Sequence, residues 1–365
     1  MKFIKTLLLT ILLLVSCAAL ALVVFMRTDV TESLSAAPTP TPAATPTPAP
    51  TPTPEPEYYT ISFVGDNTLS SSNINSSFTN TVNGDMSYPY ANTVKYFEDD
   101  DLTVANLECV FSDEKMSSIE QFSFKAPSSY AEILTKGSVE FVNLANNHSS
   151  DFGQIGYDDT KKALDDCKIE YAGDNETVIY ETESGLKVGL YCSHKSASSS
   201  NVESAIEKLK VDGAEYIVCV MHWGEEGKYH PNDKQEEIAH AAIEAGANVV
   251  YGSHPHVLQP VEEYKDGIIL YSLGNWSFGG NTNPRDMDTA IAQVKVLRDS
   301  DGNISTDSYE LIPCRMSSKS NLNDFCPTPY DKAEDKEAYD RTMSKLDGSF
   351  KGNDLNVDYS FLNNR

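Results

Sequence analysis

The chain has 365 residues and a formal charge of −26, with 54 acidic residues set against 28 Lys and Arg. That balance weighs against nucleic acid and anionic lipid headgroups as partners, because both are held by clustered cations. The seven cysteines form no CxxC pair and no Cys/His spacing of a structural zinc site.

At the N-terminus, Lys2 and Lys5 precede an apolar run over 6–26. About 20 such residues are enough to cross a bilayer as a helix. The lysines lie before the run, and Arg27 is soon followed by Asp29 and Glu32. The positive-inside bias then predicts a single-pass cell-membrane protein, N-terminus in the cytoplasm and everything beyond residue 30 extracellular. Leu14-Val15-Ser16-Cys17 gives a competing reading, a lipoprotein cleaved and lipidated at Cys17. The apolar run continues past Cys17, longer than the about 7 to 15 residues of a cleavable signal, which favours the uncleaved anchor. Residues 38–56 alternate Pro with Thr or Ala, the composition of an extended polyproline II spacer. At about 3.1 Å per residue it reaches on the order of 60 Å. The expected organisation is an anchor over 1–30, a tether over 31–57, one folded domain over 58–312, and an acidic segment over 313–365.

Within the domain, β-rich runs are predicted over 59–64, 102–106, 139–145, 188–192, 216–221, 249–251, 268–273 and 290–297. Helical patterns lie between several of them. Over 233–245, Ile238, Ala239, Ala242 and Ile243 recur at helical spacing, with Asn232 and Gln235 as a capping box and Gly246 as the stop. Alternating strands and helices predict an α/β domain with mixed sheets. A last helix is expected over 331–346. Cys192 and Cys219 read as buried small hydrophobes. Cys314 and Cys326 are close enough in sequence for a disulfide, which spacing alone does not establish.

Polar residues collect where the predicted strands end: Asp66, then Asn106 and Glu108, then Asn146, Asn147 and His148, then His222, then His254 and His256, then Asn275. Ligands of α/β folds bind beyond the carboxyl ends of strands, so one shared site accounts for all of them. Carboxylate, amide oxygen and imidazole together suit one or two borderline divalent ions such as Mn, Fe or Zn. In a paired-metal site a bridging water is the nucleophile, and His148, oriented by Asp151, is a candidate general acid. Taken singly, each residue has a plainer reading: Asp66 as a turn or helix cap, Asn146, Asn147 and Asn275 as turn residues, His222 as a core histidine. The His254-Pro255-His256 pair is hardest to explain that way. His240 reads as structural, and His194 and His230 take no role. Without a GxSxG elbow, a Walker loop or a strand-borne GxGxxG, serine nucleophiles and nucleotide cradles are not expected.

Six segments in order carry a resemblance: Phe63-Val64-Gly65-Asp66, Ala105-Asn106-Leu107-Glu108, Leu144-Ala145-Asn146-Asn147-His148 with Asp151 and Gly153, His222-Trp223-Gly224-Glu225, Gly252-Ser253-His254-Pro255-His256-Val257 with Gln259-Pro260, and Tyr271-Ser272-Leu273-Gly274-Asn275. Over about 58–312 the chain resembles CapA-type proteins of capsule and poly-γ-glutamate synthesis, which in turn are similar to calcineurin-like metallophosphatases. The resemblance implies a four-layer α-β-β-α sandwich with a two-metal site at the strand ends. By it, Asp66, Asn147, His222, His254 and His256 are metal ligands and His148 is the catalytic histidine; the clustering at strand ends adds Glu108 to the ligands, Asp151 to His148, and Asn106, Asn146, Glu225 and Asn275 as supporting or substrate-binding residues. Two positions depart from the metallophosphatase pattern: Thr68 stands where a histidine is usual, and Asn106 with Glu108 replaces a Gly-Asp pair. The implied partners are an anionic surface polymer or its precursor, the membrane through 6–26, and membrane synthase or export subunits. Two functions stay open, a metal-dependent hydrolase or transferase and a noncatalytic accessory subunit of a polymer synthase.

Overall fold

The computed structural model describes residues 54–72, 76–118 and 122–357. The expected anchor, Cys17 and nearly all of the tether lie outside the described residues. Among the described residues, no helix is long and apolar enough to cross a membrane.

Two sheets face each other. The first has eight strands, in spatial order Thr328–Pro329, Ile304–Arg315, Asp288–Arg298, Glu57–Thr68, Leu102–Leu107, Phe141–Asn143 and Glu170–Ala172, with Asn275–Phe278 also pairing with Glu57–Thr68. The second has six: Val261–Tyr264, Gly267–Leu270, Val249–Ser253, Tyr216–His222, Lys187–Ser193 and Glu176–Glu181. Side chains alternate faces along a strand, so each buried strand supplies two layers of core. From Tyr216–His222, the side chains of Tyr216, Val218 and Val220 enter the core between the sheets, where they meet Ile61, Phe63, Val104 and Phe141 of the first sheet. Ile217, Cys219 and Met221 enter an outer core under the helices Ser199–Val211 and Asp233–Ala245. On the far side, Val64, Ala105, Leu107 and Val142 pack under Phe78, Leu134 and Leu164 of the helices Ser77–Val82, Glu132–Lys136 and Gly153–Cys167. The chain therefore forms the four-layer α/β sandwich expected from its sequence.

The helix Asp233–Ala245 is closed as its sequence implies. Asn232 Oδ1 accepts the Gln235 N–H at 3.0 Å, Gln235 Oε1 accepts the Asn232 N–H at 3.1 Å, and Gly246 ends it at φ 109°. Two predicted strands are shorter than expected. The 139–145 run keeps ladder pairing only over Phe141–Asn143, and the 268–273 run leaves the ladder after Leu270, with Leu273 making one isolated bridge to Leu258.

The residues after 312 are continuous with the sandwich. The strand Ile304–Arg315 runs through the expected boundary, Thr328–Pro329 extends the sheet, and the helix Lys336–Leu346 docks by a buried ion cluster. In that cluster Lys345 Nζ lies 2.6 Å from Asp286 and 2.7 Å from Asp288, and Arg341 forks onto both Asp288 oxygens at 2.6 and 2.7 Å. Cys314 and Cys326 are free thiols, as are the buried Cys192 and Cys219.

Candidate metal centre

Strand register brings the polar residues together. Asp66 lies opposite Asn106 on one side and Asn275 on the other, Asn106 opposite Asn143, and His222 opposite Ser253. Asn106 continues the inward-facing series of Leu102 and Val104, and His222 that of Val218 and Val220. The apolar layer between the sheets thus gives way to a polar layer at its carboxyl end. The loop after Val249–Ser253 is forced into a tight shape, with His254 at φ 99° and His256 at φ 55°. Positive φ in residues with a Cβ stores strain, and such strain concentrates at functional sites.

Asn106 is the hub. Its Nδ2 donates to Asp66 Oδ1 at 2.9 Å, and its Oδ1 accepts from Asn143 Nδ2 at 2.9 Å and Asn146 Nδ2 at 3.2 Å. His256 and His148 are each held by Nδ1, leaving Nε2 for a ligand or a proton, whereas His222 is engaged at both ring nitrogens and the buried Nδ1 of His254 has no partner among the described residues. His256 Nδ1 lies 3.0 Å from Asn275 Oδ1 and 3.1 Å from Asp66 Oδ2, while its Nε2 is 3.8 Å from Glu108 Oε1. His222 Nδ1 lies 2.9 Å from Ser253 Oγ, and its Nε2 is 2.6 Å from Asn147 Oδ1 and 3.6 Å from Glu108. The Asp66 Oδ2 accepts the His254 N–H at 3.3 Å. His148 Nδ1 sits 3.0 Å from Asp151 Oδ2, which also accepts the Phe124 N–H at 3.0 Å, and the Phe124 ring stands edge-on to the imidazole.

At the centre, Glu108 is fully buried, and neither carboxylate oxygen has a hydrogen-bond donor among the described residues. Burial drives its pKa well above the carboxylate range; His256 opposes this, and Asp66, Glu226 and Asp151 add to it. Burial likewise works against charge on His256, but Glu108 and Asp66 outweigh it and push that imidazole up to about 10. His222 is lowered by burial and the neighbouring imidazoles, and His254 falls to about 4 for the same reasons. A buried acid without a donor, beside a His256 that keeps its proton and a His222 and His254 that lose theirs, is an environment in which a divalent cation would displace protons and satisfy the unpaired oxygens. Glu108, His254 and His256 each offer a ligand atom within 4.8 Å of the others, so this donor set fits a metal.

Of the residues singled out in the sequence, Asp66, Asn106, Glu108, Asn146, Asn147, His222, His254, His256 and Asn275 join this network directly, and His148 with Asp151 stands beside it. Glu225 is exposed at the rim, and its neighbour Glu226 is the acid whose charge acts on Glu108, His254 and His256. Thr68 is buried with its hydroxyl unpaired among the described residues. Two participants have no signal in the sequence reading. Asn143 lies inside a predicted strand, where an amide two residues before a strand end marks the same inward face. His194, given no role, has Nδ1 2.9 Å from the His222 carbonyl oxygen and its ring 5.1 Å from that of His222. His240 pairs with Glu262 at 3.0 Å and stacks on Tyr264, away from the site.

The family model described as bacterial capsule synthesis protein PGA_cap matches residues 60–279. The capsule biosynthesis protein CapA of Bacillus anthracis is 28% identical over 287 residues, covering 71% of this chain and 67% of that protein. The PGA biosynthesis protein CapA of Bacillus subtilis (strain 168) is 30% identical over 205 residues, covering 49% of this chain and 53% of that protein, so the chain spans about half the length of that relative. Among solved structures, a 5'-nucleotidase from Candida albicans aligns over 82% of this chain and 58% of its own, with 11% identity and a TM-score of 0.41. A purple acid phosphatase from yellow lupin seeds aligns over 84% and 58%, with 9% identity and a TM-score of 0.36.

Proposed function

The chain belongs to the bacterial capsule synthesis protein family PGA_cap, and from that premise we propose that it serves the assembly of an anionic surface polymer, poly-γ-glutamate or a related capsule polymer, through a divalent-metal centre of hydrolase type. The observation that carries the reading is Glu108, a buried carboxylate without a donor, facing His254 and His256. Asp66, Asn147 and His222 complete the ligand set, and Mn, Fe or Zn suits its mixture of nitrogen and oxygen donors.

A metal bound there polarises a carbonyl or phosphoryl oxygen and lowers the pKa of a water. The protein's own residues do the positioning. Asp66 and Asn275 fix His256 by Nδ1, and Ser253 fixes His222 by Nδ1. Asp151 holds His148 by Nδ1, so that the free Nε2 is the atom that delivers a proton to a leaving group. A noncatalytic accessory role is the second reading. It is favoured by Asn106, an uncharged amide whose side chain is consumed in hydrogen bonds in the segment where, with Glu108, it replaces the Gly-Asp pair of the metallophosphatase pattern. In either reading, the apolar run over 6–26 and the Pro-rich tether would carry the site to the outer side of the membrane, where such a polymer is handled.

The test is metal content. Full-length chain purified without chelator is expected to hold at least one transition-metal ion per chain by mass spectrometry, and Glu108→Gln with His256→Gln is expected to lose it. A wild-type chain that carries none and takes up neither Zn nor Mn in calorimetry removes the metal reading. If polymer production survives a folded His254→Ala, His256→Ala variant, the accessory reading takes its place.

A further inference from the structure

Beyond the helix Lys336–Leu346 the chain returns across the mouth of the histidine site. Leu355 and Val357 turn inward while Asp354 and Asn356 stay exposed, the two-residue alternation of an extended strand. Four contacts hold this strap. The Leu355 N–H donates to the Gly227 carbonyl at 2.9 Å, and the Tyr229 N–H donates to Asp354 Oδ1 at 3.1 Å. Lys228 Nζ lies 3.3 Å from Asp354 Oδ2, and Arg285 Nη2 donates to the Asn356 carbonyl at 2.8 Å. Gly227, at φ 76°, forms the floor, where an added Cβ would fall 2.7 Å from the Leu355 oxygen. Leu355 and Val357 line two cavities, one of about 550 Å³ that reaches His254 and one of about 170 Å³ that reaches His256.

What this groove recognises in the strap is a carboxylate, an amide N–H and an amide carbonyl. None of these contacts depends on the identity of an apolar side chain. In a protein of net charge −26, two cations, Lys228 and Arg285, stand at the site's mouth, and both are spent on the strap. We propose that this groove is a binding site for an extended acidic polyamide leading to the metal centre, and that residues 354–357 occupy it as an internal surrogate. The inference rests on the polymer-synthesis reading for the setting of the site, but its chemistry is independent of any metal. Glu225 and Glu226 line the same cavity and oppose a second carboxylate close to the first. The groove therefore suits a γ-linked glutamate chain, whose carboxylates are further apart along the backbone, over an α-linked one. An exposed ion pair and single hydrogen bonds are individually weak, so an external chain can displace the strap.

A surrogate lowers apparent affinity by the fraction of time that the groove is filled. The experiment measures fluorescence anisotropy of short fluorescein-labelled γ-linked and α-linked oligoglutamates with the full-length chain, in EDTA. Leu355→Pro removes the N–H that pairs with Gly227 and is expected to tighten γ-linked binding about ten-fold. Adding Lys228→Ala and Arg285→Ala is expected to return it to wild type or below. Asp354→Asn, a milder release, is expected to move binding in the same direction if Leu355→Pro disturbs the near-ultraviolet circular dichroism. The proposal is overturned if the releasing variants bind as wild type does, or if binding ignores Lys228 and Arg285. Tighter α-linked than γ-linked binding overturns the choice of polymer. Because binding is read in chelator, a negative result leaves the metal reading standing, and a metal-free wild type leaves this test intact.

Discussion

Single residues in this protein are most informative where burial and charge disagree. Asp288 is the plainest case: its carboxylate is buried, yet Arg341 and Lys345 hold it below the usual carboxylate range against the cost of burial. Asp288→Asn leaves Lys345, 2% exposed, with Asp286 as its remaining carboxylate and strips Arg341 of its ion pair, and is expected to lower unfolding free energy by about 2–3 kcal/mol in urea titration. A loss under about 1 kcal/mol would show that the cluster is not what docks the C-terminal helix. At this scale the sequence was legible wherever a residue type is unusual for its place, as with His254 and His256 flanking a proline. It was opaque where the type is ordinary. Nothing in Ser193-His194-Lys195 marks a histidine whose ring lies 5.1 Å from His222, because that contact depends on two strands pairing in the second sheet. Glu225 points out at the rim, a direction not written in the residue types of the turn and set by Gly224 at φ 83° and Gly227 at φ 76°.

Elements were legible in proportion to how local their determinants are. The helix Asp233–Ala245 ends where its capping box and glycine place it, because each signal acts within one turn. The strand runs were found by composition. Their allotment to two sheets was not, since one neighbour of Glu57–Thr68 is the nearby Leu102–Leu107 while the other is Asp288–Arg298, more than half of the chain away. Short ladders such as Val261–Tyr264 and Asn275–Phe278 left no run long enough to read. What holds the site's strands in register is close backbone approach. A Cβ on Gly252 would fall 2.1 Å from the Tyr271 carbonyl oxygen and 2.4 Å from the Trp223 ring nitrogen, and neither can yield without moving its element. Gly252→Ala is therefore expected to destabilise by about 1–3 kcal/mol, and to weaken zinc uptake in calorimetry by displacing His254. Unchanged stability with unchanged zinc binding would mean that the strand Val249–Ser253 shifts freely, against this packing.

For the molecule as a whole, the pH dependence of stability follows from acids placed on opposite sides of the balance. Asp100 and Glu140 flank the strand Leu102–Leu107, and burial raises each to about 7, against hydrogen bonds from Ser62 and Thr103 for Asp100 and from the Thr103 N–H for Glu140. Below the ordinary carboxyl value both are protonated in the folded and unfolded chain, and their contribution is fully present. Between that value and about 7 the folded state keeps protons that the unfolded state has released, so stability falls as pH rises through this window. Asp288 has the opposite sign: its contribution is present above the ordinary value and is lost as pH falls through its depressed one. The two effects predict a stability maximum in mildly acidic solution rather than at neutrality, sharpened by a net charge of −26 that repels itself more as the remaining acids ionise. Urea denaturation of the full-length chain between pH 4.5 and 8 is expected to trace that fall. Asp100→Asn with Glu140→Gln removes both titrating groups and is expected to flatten it. An equally steep fall in the double variant would assign the effect to the charge of the whole surface instead of these two buried acids.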